Sequence, residues 1–135
     1  MQKLTIHDWG LIDYETAWKR QEEFLAQNLE IKAIARKEQR DADPMQVPTG
    51  HHLIFCEHPA VYTLGKNGNI NNVLISNEER DKKGIEFFHT NRGGDITFHG
   101  PGQIVGYPIL DLEKIKTDIG LYLRNLEEVI IRTLA

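Results

Sequence analysis

The sequence predicts an α+β fold, an α/β two-layer arrangement in which a mixed sheet has flanking helices. Three observations support this prediction: an alternating apolar segment at the start, two long segments with helical periodicity, and several strand-like apolar runs between them. A chain of 135 residues has the usual size of one domain. We therefore expect residues 1–135 to form a single domain.

The first half of the chain predicts a strand, a long helix and two further strands. Leu4 and Ile6 alternate with polar neighbours, which is typical of a strand. Helical periodicity runs from residue 12 to about residue 37, and strand-like runs follow at residues 52–57 and 61–65. One face of the helix carries a stripe that we expect to pack in the core. Its members are Tyr14, Ala17, Trp18, Phe24, Leu25 and Leu29.

Polar segments and turn signals separate the later elements. The charge run over residues 36–43 and the Asn- and Gly-rich residues 66–72 are typical of loops. Ser76 and Glu79 match a capping box, which predicts a short helix that ends at Gly84. Strands are then predicted over residues 85–89, 95–99 and 103–110, and a helix over residues 118–135.

Composition excludes several classes of function. The net charge of −4 argues against a general nucleic-acid-binding protein. No apolar run approaches the roughly 18 residues of a membrane span, and the start lacks a secretory signal, so no membrane is expected as a partner. The single cysteine cannot form an internal disulfide, so the expected compartment is the cytoplasm. The six histidines fit no standard zinc spacing, and no metal site is expected.

Glycines concentrate in one segment that is the best candidate for chemistry. Five of the eleven glycines lie within residues 92–106, which indicates unusual dihedral angles or close approach to a ligand. Because alternate residues of a strand share a face, Asp95, Thr97 and His99 would line one polar face. Ile96 and Phe98 would pack opposite. This pattern predicts a pocket wall, although a tight hairpin with a solvated face would give the same pattern.

The same segment resembles the signature of a known family. Residues 92–103, RGGDITFHGPGQ, are similar to the motif of the octanoyl/lipoyl transferases of the LipB family. Residues 8–18 and 57–65 resemble the family's opening segment and second block. Residues 104–111 and the helix near residues 126–129 also match. The resemblance extends over nearly all of the sequence apart from an insert-like stretch at residues 32–49.

This resemblance implies a fold and a reaction. The fold would be that of the biotin/lipoate protein ligases. The reaction would move an octanoyl group from acyl carrier protein to a lysine of a lipoyl domain, as in the glycine cleavage H protein or the E2 component of 2-oxoacid dehydrogenases. It would pass through a thioester on a cysteine that a lysine activates, since a nearby ammonium lowers a thiol pKa. No bound cofactor is implied.

The resemblance also assigns site residues. Backbone amides near the glycines would meet the acyl head group and stabilise an oxyanion. His99 would hydrogen-bond near the acyl carbonyl, and Arg92 would hold the loop or meet the phosphopantetheine arm. An ion pair of Arg92 with Asp95 is the structural alternative, and Asp95 is not expected to be catalytic. The substrate-binding residues would be Arg92, Gly93, Gly94, Asp95, Ile96, Thr97, Phe98 and His99. The supporting residues would be Gly100, Gly102, Gln103 and Tyr62. Among these, Gln103 would order the turn.

The family's catalytic cysteine and lysine have no counterpart in the sequence. We expect them to lie beyond Ala135, so that residues 1–135 would be incomplete at the C-terminus and inactive alone. Cys56, the only cysteine, lies in a strand-like run and is expected to be a small buried apolar residue. A nucleophilic pair of Cys56 with His58 is the alternative.

Two other functions stay open at this point. The first is an ATP-dependent lipoate or biotin protein ligase, which forms an acyl-adenylate. Those ligases carry a related glycine/arginine segment, but the continuation at residues 99–103 favours the transferase. The second is a non-catalytic acyl-binding module that kept the pocket wall and lost the nucleophile.

Overall fold

The computed structural model describes residues 3–38 and 43–135. Six strands and three α-helices are found there, with short 3-10 turns at residues 44–46, 70–72 and 112–114. In sequence order they are β1 (Leu4–Leu11), α1 (Tyr14–Lys37), β2 (His51–Glu57), β3 (Val61–Leu64), α2 (Asn77–Lys83), β4 (Glu86–His89), β5 (Ile96–His99), β6 (Val105–Ile109) and α3 (Ile119–Leu134).

The strands form two three-stranded sheets, in the orders β1-β2-β6 and β4-β3-β5. In the first sheet β1 pairs with β2 in parallel and β2 pairs with β6 antiparallel. In the second sheet β3 pairs with β4 in parallel and with β5 antiparallel. Each sheet is therefore mixed, which confirms the α+β class with a mixed sheet. The division into two sheets is a feature that the sequence did not predict.

Helix α1 covers one face of the first sheet through aromatic contacts. The Phe24 ring lies 4.1 Å from the His52 ring and 5.1 Å from the His7 ring, measured between centroids. The predicted core stripe is wrong at Leu25 and Leu29, which are 51% and 58% exposed. The buried line instead includes Asn28, so the packed face is rotated around the helix axis.

Asn28 explains this rotation. Its side chain donates to the Gly50 carbonyl at 2.9 Å and accepts from the Gly50 N–H at 2.8 Å. Both hydrogen bonds are made to the residue before β2, so they fix α1 against the sheet at that point. A buried amide is stable only when its polar atoms are paired, and here they are. Ala17 and Ala35, which are buried on the same face, continue the contact line.

Local capping interactions fix the helix ends, and those at α2 agree with the prediction. The Asp13 carboxylate accepts from the Thr16 N–H at 2.8 Å and caps α1. At α2 the capping box is present, and Gly84 ends the helix in the left-handed conformation with φ 62°. Helix α1 ends at Lys37, in agreement with the predicted end near residue 37. Residues 39–42 of the predicted loop at residues 36–43 lie outside the described residues.

Apolar side chains of α3 and of the sheet face opposite α1 are exposed. No residue of α3 is buried, and on β1 the Leu4 and Ile6 side chains are also exposed. The mostly exposed apolar residues of α3 are Ile119, Leu123, Val129, Ile130, Ile131 and Leu134.

None of the helices within the described residues has the length and apolar character that crossing a bilayer requires.

Candidate functional site

Arg92 holds the glycine-rich turn by hydrogen bonds to backbone oxygens. Its Nη2 donates to the Thr63 carbonyl at 2.7 Å, to Thr63 Oγ1 at 2.9 Å and to the Asp95 carbonyl at 3.1 Å. Its Nη1 donates to the Gly93 carbonyl at 2.8 Å. The guanidinium therefore contacts the main chain of Asp95 and not its carboxylate. This geometry matches the loop-holding role expected for Arg92 and differs from the alternative ion pair.

The Asp95 carboxylate instead stabilises the neighbouring loop. It accepts from the Asn69 N–H at 3.0 Å and from the Asn72 side-chain amide. Asp95 precedes β5, so the predicted polar face of three residues reduces to Thr97 and His99 on the strand itself. These two residues pair with Thr63 and Val61 of β3, respectively.

A second loop packs directly against this turn at Gly65. The Gly65 N–H donates to the Asp95 carbonyl at 2.9 Å, and the Lys66 N–H donates to the Arg92 carbonyl at 3.1 Å. A Cβ atom at Gly65 would clash with the Gly94 carbonyl oxygen and lie 2.9 Å from that of Gly93. Only glycine permits this close approach of two backbones.

Tyr62, Ile96 and Phe98 lie on the face of the second sheet that is opposite to the face of Thr97 and His99. The Tyr62 and Phe98 rings lie 5.1 Å apart. Tyr62 and Ile96 line an open cavity of about 460 Å³ together with residues 72–75. Since neighbouring residues of a strand point to opposite faces, these three side chains face away from His99. The structure therefore does not bring all the sequence-predicted site residues together.

His99 belongs to a cluster of rings that the motif alone did not predict. Tyr14, at the start of α1, lies 6.1 Å from the His99 ring with the planes 17° apart. Tyr14 also contacts the rings of His58 and Phe88, each at 5.4 Å. Tyr14 lies in residues 8–18 and His58 in residues 57–65, two further segments that resemble the family. This resemblance is the signal that could have identified both residues. Phe88 offered no signal beyond its place in an apolar run.

His58 is fully buried at the junction of β2 and β3, and both its ring nitrogens are paired. Nδ1 donates to the Ile12 carbonyl at 2.7 Å, and the Tyr107 hydroxyl donates to Nε2 at 2.9 Å. Because a carbonyl oxygen can only accept, the proton of the neutral ring must lie on Nδ1. Burial lowers the pKa of His58 and raises the pKa of Tyr107, so both groups stay neutral.

Cys56 lies beside this network as a buried thiol. Its Sγ is 3.7 Å from His58 Nε2, but that nitrogen already accepts the Tyr107 hydroxyl. The side chain is 3% exposed. Burial raises the pKa of the Cys56 thiol to about 11, with a contribution from the nearby Asp8 carboxylate. A thiol of this pKa is a poor nucleophile at neutral pH, which disfavours the Cys56 and His58 pair.

The turn after β5 connects His99 to Gln103. The Gln103 N–H donates to the Gly100 carbonyl at 3.1 Å and closes the turn, as expected for this residue. The Gly102 N–H donates to the Glu57 carboxylate at 2.7 Å, which fixes the turn to the end of β2. The Gln103 side chain lies 2.7 Å from Nδ1 of His99. Among the described residues, no group of three or more His, Cys, Asp or Glu side chains is placed to hold a metal ion.

The stability of the fold is expected to decrease as the pH falls below about 6.5. Burial lowers the pKa of His51, His52 and His58 in the folded state, so the unfolded protein binds more protons in this range. The stabilisation is complete above the unfolded pKa of about 6.5 and is lost towards the lower folded values. Urea unfolding at pH 7.5 and pH 5.5 measures the difference. A His58→Gln variant should show a smaller difference, by up to about 1.4 kcal/mol per pH unit. An equal difference in both proteins would contradict this assignment.

The family described as lipoyl protein ligase A/B catalytic domain matches residues 13–135. A curated octanoyltransferase of Flavobacterium johnsoniae is 50% identical over 134 residues, which make up 99% of this chain and 56% of that protein. An octanoyltransferase of Flavobacterium psychrophilum is 52% identical over 132 residues, covering 98% of this chain and 55% of that protein.

An octanoyltransferase of Cytophaga hutchinsonii is 48% identical over 134 residues, covering 99% of this chain and 54% of that protein. The chain thus spans about half the length of the curated relatives it matches. A solved structure of P. falciparum LipL1 in complex with lipoate aligns with a TM-score of 0.48 and 15% identity, over 76% of this chain and 29% of that one.

Proposed function

Because the chain belongs to the lipoyl protein ligase A/B catalytic domain family, we propose that the whole protein is an octanoyltransferase acting in protein lipoylation. It would move an octanoyl group from acyl carrier protein to a lysine of lipoyl-domain proteins in the cytoplasm. The H protein and the E2 components of 2-oxoacid dehydrogenases are the acceptors. The observation that carries this proposal is the 42–52% identity to curated relatives that share the name octanoyltransferase.

The glycine-rich turn supplies the acyl-binding wall in this proposal. Gly94 has φ 84°, a conformation that side chains disfavour. No acceptor within the described residues takes the backbone N–H of Gly93 or Gly94. Exposed backbone donors of this kind can stabilise the oxyanion of a tetrahedral intermediate. Arg92 shapes the turn, since its guanidinium is bonded to nearby backbone oxygens.

The nucleophile of the proposed reaction is a cysteine other than Cys56. The buried position and raised thiol pKa of Cys56 support this assignment. Residues 1–135 would then form the N-terminal part of one catalytic domain. The thioester-forming cysteine and its activating lysine would lie outside these residues. Without them the 135 residues alone are expected to be inactive.

The function is tested with the full-length protein and a purified lipoyl domain as acceptor. With octanoyl-acyl carrier protein as donor, we expect an octanoyl group on the lipoyl-domain lysine without ATP, detected by intact mass. Transfer that requires free octanoate and ATP would contradict the proposal and indicate a ligase. Absence of transfer from either donor would also contradict it and favour an acyl-binding module.

Replacing Cys56 with alanine in the full-length protein is expected to leave octanoyl transfer unchanged, because its sulfur takes no part in the reaction. Truncating this small buried side chain should lower the free energy of unfolding by about 1 kcal/mol. The check is the transfer rate of the variant, together with peptide mapping of any acylated cysteine. An octanoyl adduct on Cys56, or loss of transfer in a folded Cys56→Ala protein, would overturn the assignment.

A further inference from the structure

Helix α3 carries an apolar stripe that the described residues leave largely exposed. Five apolar side chains recur along the helix at intervals of three and four residues, which places them on one side of it. No residue of α3 is buried, and Ile130, within the stripe, is 59% exposed. Helices in proteins are stabilised mainly by packing of such a stripe against a partner. The stripe consists of Ile119, Leu123, Leu126, Ile130 and Leu134.

The other side of α3 is polar, so the stripe is a distinct surface. The Glu128 carboxylate pairs there with Arg132 at 2.6 Å, and Asn125 is exposed beside them. At 3.6 residues per turn, Asn125 lies almost opposite Leu123 on the helix. A contiguous apolar surface that is bordered by polar residues marks an interaction site.

The segment before α3 is fixed to the first sheet and to α1. The buried Asp111 carboxylate accepts from Lys32 Nζ of α1 and from the Thr49 hydroxyl, each at 2.6 Å. A single 3-10 turn and residues 115–118 then lead to α3, whose first turn is capped by the Asp118 carboxylate. The start of α3 is therefore held near the end of β6, and the stripe has a defined place in the molecule.

The open face of the first sheet does not cover this stripe. Leu4 and Ile6 of that face are themselves exposed, at the same time as the apolar side chains of α3. Both surfaces belong to the same 135 residues, yet they do not bury each other. The partner of α3 must therefore come from elsewhere.

We propose that the stripe of α3 is the docking surface for the part of the full-length protein that lies outside residues 1–135. The chain spans about half the length of its curated relatives, so this part is of similar size. A covering segment in the same polypeptide has a high effective concentration beside α3, which favours it over a second copy of the chain. Under the proposed function, on which this last step rests, that part carries the reacting cysteine, and α3 joins it to the residues that form the glycine-rich turn.

The first test measures accessibility in the full-length protein and is independent of activity. The alkylation rates of Leu123→Cys, in the stripe, and of Asn125→Cys, on the polar side, are followed by peptide mapping. Both positions are exposed within residues 1–135, so an uncovered helix predicts equal rates. Because a covered cysteine reacts only through local opening, we expect Leu123→Cys to react at least about tenfold more slowly than Asn125→Cys. The two rates should become equal in urea that unfolds the protein.

Ile130→Cys is the second stripe variant, and it keeps the test decisive if Leu123→Cys does not fold. It should show the same protection relative to Asn125→Cys. Equal rates at stripe and control positions in the native protein would overturn the proposal.

The second test identifies what covers the stripe. Photo-leucine, a diazirine analogue close to leucine in shape, replaces leucine in the full-length protein, and the crosslinked peptides of α3 are identified by mass spectrometry. We expect crosslinks from α3 to peptides outside residues 1–135 of the same molecule. Crosslinks to β1 instead, or crosslinks between ¹⁵N-labelled and unlabelled copies, would overturn the proposal. Neither test measures transfer, so a protein that shows this protection and these crosslinks but transfers no octanoyl group would contradict the proposed function alone.

Discussion

Replacing Gly65 with alanine is expected to destabilise the protein and to displace the glycine-rich turn. The added methyl group would meet the carbonyl oxygens of Gly93 and Gly94, which are backbone atoms and cannot rotate away. Overpacking of this kind costs about 1–3 kcal/mol. The two hydrogen bonds that join this loop to the turn would lengthen as the backbones separate. A displacement of about 1 Å in a catalytic site can lower the rate about 10²-fold, so octanoyl transfer should fall by a similar factor.

The measurement is urea unfolding of the full-length protein together with the transfer rate. Gly106→Ala is the matched control on β6, because a Cβ there would meet the Phe55 ring at an ordinary 3.6 Å. That variant should unfold close to the wild-type urea concentration. Wild-type stability and transfer in Gly65→Ala would show that the two loops are not packed as described.

Replacing Arg92 with lysine is expected to cost at least about 2 kcal/mol of stability although the charge is kept. Arginine presents several donors in a fixed plane, and Arg92 uses them on the Thr63, Gly93 and Asp95 oxygens. A lysine ammonium cannot reach all of these acceptors. A hydrogen bond from a charged donor contributes about 1.5–3 kcal/mol. The turn would lose its fixed shape, and transfer should fall on the order of 10²-fold.

Arg132→Lys provides the control for this substitution. Arg132 forms an exposed ion pair with Glu128 on α3 at 2.6 Å. Such pairs contribute about 0–1 kcal/mol, so this variant should unfold and transfer like the wild type. Equal urea midpoints and rates for Arg92→Lys and Arg132→Lys would contradict the role assigned to Arg92.

Features with local causes could be predicted from the sequence. The capping box at Ser76 and the left-handed Gly84 depend on residues within one short helix, and both are present. The strands were predicted to within a few residues because apolar runs and turn residues bound them. The packed face of α1 could not be predicted, because Asn28 is buried by hydrogen bonds to Gly50, 22 positions away. Hydrophobic periodicity reflects only neighbouring residues, so it cannot predict a contact over this distance in sequence.

In the candidate site, too, the features with local causes could be predicted and those that depend on distant residues could not. The motif located Arg92 and His99, since a continuous segment carries both. It could not show that Tyr62 points to the opposite face, because that depends on the register between β3 and β5. Nor could it show that Tyr14 stacks on His99, because that contact depends on the placement of α1.

The pairing of His58 also has a consequence for the order of folding. Its two hydrogen-bond partners, Ile12 and Tyr107, lie 46 and 49 positions away in opposite directions along the sequence. The entropy cost of closing such long loops must be met before these contacts contribute. Proteins dominated by contacts of this range fold slowly. The ring cluster around His99 is therefore expected to form late in folding, and the glycine-rich motif acquires its surroundings only at that stage.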